Sequence, residues 1–378
     1  MVSEVEVELW DKTRTQRVWA GDPTLLTATP RHNQQPTGSL TLPADHDRAA
    51  FARQKGARVV VRYRGEHLLS GPIRSCRASG RVRAQRQLTF EIADDWRLLS
   101  RLLAWQVPGA AITAQSSAEY HVLTGPAETV AKTLLGAAIT RTGAPITVAP
   151  DLGRGATITV RARMSLPSDL LPALLDQAGI GLTVRQLGST LVLDAYEPQP
   201  WPGRLSEAAG TLASVEWSEA APGATRVVLG ADGDGTARVY RRLVDATLET
   251  QYGDVVEVFV DARDLKSTDP GFEATATARM QEALAQGRPL VGLQIALAEA
   301  GRFRYGGASG VHVGDVLTVE IDPGVPVTDV LRAATLTWDR TGARVTPVVG
   351  ERTGDVVDQL GRAIGATRKS IRQIQTRR

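Results

Sequence analysis

The sequence predicts a mainly β chain, interrupted by two α+β portions and closed by a C-terminal helix. Three observations predict it. Apolar and polar residues alternate over much of residues 1–92, the mark of strands with one buried face. Glycine supplies 36 of 378 residues while aromatics make up only 5%, as expected where many turns separate short strands. Helical periodicity is confined to a few segments, several of which stop at a glycine. The length suits two to four packed units with a sizeable core.

The opening run Met1-Val2-Ser3-Glu4-Val5-Glu6-Val7-Glu8-Leu9-Trp10 alternates apolar with acidic residues, so it reads as a strand rather than a signal peptide. Segments 58–63 and 67–71 flank Arg64-Gly65-Glu66, a short hairpin loop. Gly80 separates 73–79 from a strand carrying Val82, Ala84, Leu88, Phe90 and Ile92. Asp94 is placed to cap a helical turn through Asp95-Trp96-Arg97-Leu98-Leu99, and Pro108-Gly109 closes this portion.

Pro126-Ala127-Glu128 opens a helix with Val130, Leu134, Ala138 and Ile139 on one face, ending near Gly143. A second helix, 168–178, carries Leu170, Leu171, Leu174 and Leu175, with Pro172 in or near its first turn, and stops at Gly179. A hairpin of 181–186 and 189–195 turns at Leu187-Gly188. Glu197-Pro198-Gln199-Pro200-Trp201-Pro202 reads as a stiff exit linker.

Strands return at 213–218, 225–230 and 236–242, with Asp232-Gly233-Asp234-Gly235 as a hairpin turn before the last. That acidic run is no EF-hand, because the twelfth loop position is Leu243 rather than Glu. A strand at 255–260, a helix at 272–286 and a strand at 290–296 form the second α+β portion. Strands at 315–321, 330–338 and 343–349 follow.

In the last segment Val357, Leu360, Ile364, Thr367, Ile371 and Ile374 alternate spacings of three and four, an a/d heptad seam with one polar slip. Thr353 and Asp355 suit the start of a helix, and Arg372, Arg377 and Arg378 its end. Such a stripe either docks on the body of the protein or joins copies. Ile at both a and d positions favours three or more strands over two.

No catalytic or metal-binding pattern is visible. Cys76 is the sole cysteine, the five histidines are scattered, and no run of 18 apolar residues exists. A P-loop, a strand-borne G-x-G-x-x-G and a G-x-S-x-G elbow are all missing. The expectation is therefore a non-enzyme with no cofactor and no membrane span.

Charge is uneven beneath a net of +3. Residues 1–105 hold 17 basic and 11 acidic side chains, residues 106–352 hold 21 and 28, and residues 353–378 hold six and two. Arg74, Arg77, Arg81, Arg83 and Arg86 form a basic cluster, of which Arg77, Arg81 and Arg83 can share a sheet face. Without interleaved aromatics this cluster does not suit single-stranded nucleic acid. It suits a channel wall or a contact between subunits, where basic and acidic segments complement each other.

The stretch from Phe90 to Pro108 holds Asp94-Asp95-Trp96-Arg97-Leu98-Leu99 and then Trp105-Gln106-Val107-Pro108. With its Asp-x-Trp-x-Leu-Leu turn and its Trp before Pro, it resembles the minor tail proteins of long-tailed bacteriophages of actinobacteria. The whole chain resembles, more broadly, the tail-hub family shared with contractile-phage baseplates. Val311-His312-Val313-Gly314-Asp315-Val316 is similar to the Gly-Asp lead into a late barrel strand of such hubs.

The resemblance implies two hub-type β-barrels, at 1–108 and at 203–240 with 305–352, the second being discontinuous. It further implies an α+β domain at 109–202, an α+β insertion at 241–304 packing with it, and the C-terminal heptad helix at 353–378. Asp94, Trp96, Leu99, Trp105, Pro108, Gly314 and Asp315 would be structural family positions. The implied function is a structural tail-tip hub, a homotrimer forming a pseudo-sixfold ring in the virion after assembly in the host cytoplasm. Its partners would be itself, a distal tail ring, the tape-measure protein and tip or fibre proteins, with the genome only passing through. The alternatives are a carbohydrate- or receptor-binding tail module and the hub of a phage-derived injection device.

Overall fold

The computed structural model describes residues 4–80, 86–287, 290–297, 304–307, 310–322 and 325–350. Strand accounts for 43% and helix for 21%, so the mainly β expectation holds. The chain divides into two compact units, one of Met1–Val215 with Ile295–Val349, the other built on Glu216–Gln294.

In the first unit, strand Val5–Trp10 lies between Arg17–Trp19 and Arg58–Tyr63, antiparallel to both. The two-residue turn Arg64-Gly65 leads into the 14-residue strand Glu66–Ser79, which serves two ladders. Its first half pairs with Arg58–Tyr63 and its second with Gln87–Ala93. From there the sheet runs through Thr37–Pro43 and Leu25–Thr29 to Val325–Asp339 and Gly342–Gly350. Alternation delivers Leu26, Leu40, Leu42, Leu69, Phe90 and Leu336 to the interior, where all are fully buried. Each such side chain contributes about 1.5–3 kcal/mol by leaving water.

These pairings correct the expectation of two closed barrels. Among the described residues no sheet closes on itself. Strand Leu25–Thr29 pairs with Thr37–Pro43 on one side, and on the other Leu25, Leu26, Thr27 and Ala28 pair with Leu336–Asp339. The first and last β regions thus share one open sheet, because an edge that would close the first region is taken by the last.

The same unit carries the first α+β portion. Helix Ala127–Thr142 buries Val130, Leu134, Leu135, Ala138 and Ile139 and ends at Gly143, as its periodicity predicts. The helix expected at 168–178 is instead two short turns, Pro167–Leu170 and Pro172–Gln177. Pro172 lacks the N–H needed to continue the first turn into the second. In the hairpin of Gly181–Leu187 and Thr190–Tyr196, Leu187 pairs with Thr190, so the turn is Gly188-Ser189 rather than Leu187-Gly188. The proline-rich exit linker is also corrected. Pro200–Leu205 is a strand, parallel to Val316–Asp322; it sits at a sheet edge, where prolines without N–H groups are tolerated.

In the second unit, Arg226–Gly230 is the middle strand, antiparallel to Tyr240–Val244 and parallel to Glu257–Asp261. Helix Phe272–Gln286 covers one face, with Phe272, Ala276 and Met280 against Val227 and Leu229. The acidic run at 232–235 is no tight hairpin: the ladder resumes only where Gly230 meets Tyr240. Asp232 Oδ1 accepts from Ser267 N at 2.9 Å and so fixes a longer loop. Helix Ala246–Tyr252, which the sequence reading missed, starts at Asp245, whose carboxylate accepts from Leu248 N.

No helix among the described residues is long and apolar enough to cross a membrane. The heptad seam from Val357 to Ile374, and Arg81 and Arg83 of the basic cluster, lie outside the described residues.

Candidate functional site

The two family motifs, more than two hundred residues apart in sequence, converge on one joint in the first unit. Asp94 caps the 3-10 turn Asp95–Ser100: Trp96 N donates to Asp94 Oδ1 at 2.8 Å and Ser70 N to Asp94 Oδ2 at 2.9 Å. Asp95 Oδ2 accepts from Ser70 Oγ at 3.1 Å and from Arg58 Nη2. Arg58 Nε donates to Gln186 Oε1 at 2.7 Å, and Gln186 N donates back to Ser70 Oγ at 2.9 Å. This buried circuit ties the β sheet to the 181–196 hairpin. Trp96 and Leu99 continue from it into the α+β core beside Leu134 and Leu175.

Burial and the neighbouring Asp95 push the Asp94 carboxyl up to about 8, against two backbone N–H donors that favour its ionised form. Burial raises Asp95 as well, opposed by Arg58. Arg97 adds a second, weaker cationic pull on Asp95, so Arg58 and Arg97 together favour its ionised form against burial.

On the opposite side of the joint, Asp315 Oδ2 accepts from His312 N at 2.8 Å and lies 3.3 Å from His312 Nδ1. His312 Nε2 lies 3.3 Å from Glu66 Oε2 and 3.1 Å from the carbonyl oxygen of Gly307. The Asp315 bond, then Glu66, raises the imidazole above its ordinary value despite burial. Burial pushes Glu66 up to about 7, opposed by His312. Beside this clasp Gly314 has φ +100°, and a Cβ there would come within 2.3 Å of the Tyr196 ring.

Tyr196 is anchored in turn. Its hydroxyl meets His32 Nδ1 at 2.7 Å, His32 Nε2 lies 3.1 Å from Asp176 Oδ1, and Arg332 Nη1 donates to Asp176 Oδ2 at 2.6 Å. A carboxylate, an imidazole and a hydroxyl in line have the outline of a nucleophile relay. Here Asn33 and Arg332 also hold the carboxylate, and burial keeps the phenol well above its ordinary pKa. The line is a brace between distant chain segments.

A cavity of about 190 Å³ lies between the two motifs, lined by Asp94 and Trp96 from one side and by Glu66, Tyr196, Tyr305 and Val313 from the other. Among the described residues no cluster of three or more His, Cys, Asp or Glu has the arrangement to hold a metal ion.

The other expected positions lie apart from this joint. Trp105 stacks under the Arg141 guanidinium, 4.1 Å from its ring centroid, and Arg141 Nη2 donates to Leu103 O. Pro108 sits in a turn pinned by Gln115, which bonds both the N–H and the carbonyl of Val107. Arg77 is exposed on strand Glu66–Ser79. Sequence reasoning missed Arg58, Ser70, Gln186, Tyr196 and His32, whose partners lie far along the chain and leave no local spacing to read.

Residues 6–351 match the model of the siphovirus ReqiPepy6 Gp37-like protein family. The chain belongs to that family. Its fold is similar to that of the 43 kDa tail protein of prophage MuSo2 from Shewanella oneidensis, with TM-score 0.57, 14% identity, and 92% of this chain and 98% of that one covered. A tail protein from Neisseria meningitidis MC58 gives TM-score 0.57 and 14% identity, covering 92% and 96%. The prophage tail protein gp18 from Listeria monocytogenes EGD-e gives 0.51 and 9%, covering 96% and 99%. At such identities the likeness is one of fold. No curated protein matches the sequence. This Gp37-like chain shares its fold with these phage tail proteins.

Proposed function

We propose that the chain is the tail-tip hub of a long-tailed phage of an actinobacterial host. Three copies form a pseudo-sixfold ring that joins the distal tail to the tip or fibre and leaves a channel for tape measure and DNA. The observation that carries this reading is the similarity to phage tail proteins over nearly the whole length of both chains. The layout of the first unit supports it: its first and last β regions lie side by side in one continuous sheet, joined at Leu25–Thr29 and Val325–Asp339. Asp94, Trp96, Leu99, Gly314 and Asp315 act as structural positions that hold this wall to the 121–196 portion. The role is structural, with no reaction for the brace at His32 to perform. The test is the absolute mass and the projected shape of the protein in solution. Three-fold rings with an open centre agree with the hub, and a single-chain mass at every concentration overturns it.

A further inference from the structure

Among the described residues, two of the open strand edges carry opposite charge. The first is the distal half of Glu66–Ser79. Arg74, Ser75, Cys76, Arg77, Ala78 and Ser79 are all exposed; one side of this segment pairs with Gln87–Ala93, and no described strand takes the other. Its charge is of one sign, for residues 67–90 contain five arginines and no Asp or Glu. The second edge is Glu257–Asp261 of the other unit. It pairs with Arg226–Gly230 on one side, and no described strand takes the other. Residues 254–261 hold Asp254, Glu257 and Asp261 with no Lys or Arg, and Phe259 among them is 53% exposed. Arg238, from the loop before the opposite edge strand, bonds Asp261, and Arg263 Nε lies 3.6 Å from the same carboxylate, leaving Asp254 and Glu257 to set the sign.

An open edge that displays unpaired backbone N–H and C=O groups recruits another strand unless it is blunted or covered. Neither edge contains a proline, and an exposed aromatic marks the acidic one. We infer that the basic edge at 74–79 of one copy pairs with the acidic edge Glu257–Asp261 of a second copy. Charge complementarity selects this occupant, and both surfaces are present on every copy, so the contact needs no other protein. Because the two surfaces differ, the contact is head-to-tail, and its repetition about an axis closes a ring. The inference rests on the trimeric hub for the existence of the ring and adds which residues form its seam.

The test uses the full chain. Arg74→Glu with Arg77→Glu juxtaposes like charges, and self-association measured by light scattering should weaken at least about tenfold. Adding Asp254→Arg and Glu257→Arg to that variant should restore it. Rescue excludes misfolding as the cause. In parallel, wild-type chain, whose one thiol is Cys76, is mixed with a Cys76→Ala/Phe259→Cys variant and treated with a short bismaleimide. Peptide mapping should find residues 76 and 259 joined between copies. Trimers that ignore the charge reversal and give no such link overturn the seam and leave the hub standing. Weakening without rescue also overturns the seam. A monomer at every concentration overturns both.

Discussion

The ring of Tyr196 fills the space that a side chain at Gly314 would need, with Cε2 only 2.3 Å from where a Cβ would sit. The Gly-Asp pair in the family-like motif therefore has two separate physical reasons. Gly314 admits φ +100° and the tyrosine ring, and Asp315 turns back to hold His312 against Glu66.

Gly314→Ala should destabilise the protein by about 2–3 kcal/mol, the sum of left-handed backbone strain and displacement of Tyr196. Gly342→Ala is the control, since Gly342 has φ +121° with nothing near its absent Cβ. It should cost only the backbone part, about 1 kcal/mol. Urea midpoints of the two variants check this, and equal losses would remove Tyr196 from the explanation.

Arg58→Ala leaves Asp95 buried without its cation and Gln186 without its donor. The expected loss is about 3–5 kcal/mol, because a buried charge is left uncompensated. Thermal unfolding followed by tryptophan emission should register it, as Trp96 adjoins the circuit. A loss below that of an ordinary surface substitution would show that the circuit adds nothing.

Stability should fall as pH rises from 6.5 to 8, above the range in which buried His67, lowered to about 3, works in the opposite sense. The carboxyls of Asp94 (about 8) and Glu66 (about 7) titrate in the folded state above their unfolded values. Both groups favour the folded state fully only below those unfolded values, and that contribution is lost as pH rises through 7 and 8. His312 is raised by its carboxylate partners, so its contribution too is lost on the alkaline side. Glu128 is lowered, chiefly by Arg154, and loses its contribution only as pH falls below the ordinary carboxylate range, outside this window. Chemical denaturation across the window measures the slope. Asp94→Asn should flatten it, and a slope of opposite sign would contradict the assignment.

A chain ending at Glu351 should form weaker trimers than the full chain if the stripe of Val357, Leu360, Ile364, Thr367, Ile371 and Ile374 joins copies. Sedimentation of both at matched concentration measures this. Equal association makes the stripe a docking element of a single chain instead.

What was legible in the sequence follows from the range of the forces involved. Helix Ala127–Thr142 and helix Phe272–Gln286 were readable because their periodicity is local, and Gly143 stops the first. Asp94 was readable as a cap for the same reason. The open sheet was not, since the pairing of Leu25–Thr29 with Val325–Asp339 spans over three hundred residues and nothing in either strand names its neighbour. The proline-rich exit misled because a proline forbids only one hydrogen bond, and an edge strand such as Pro200–Leu205 can omit it. At the joint, both motifs were visible but not their meeting. Ser70, Tyr196 and Glu66 bring them together, and each looks like an ordinary strand residue in isolation.

The central claim is the ring, and the absolute mass of the full chain in solution tests it most directly. The account predicts three chain masses of 40.5 kDa each, in particles with an open centre. A mass of one chain, unchanged up to the highest concentration reached, would contradict it.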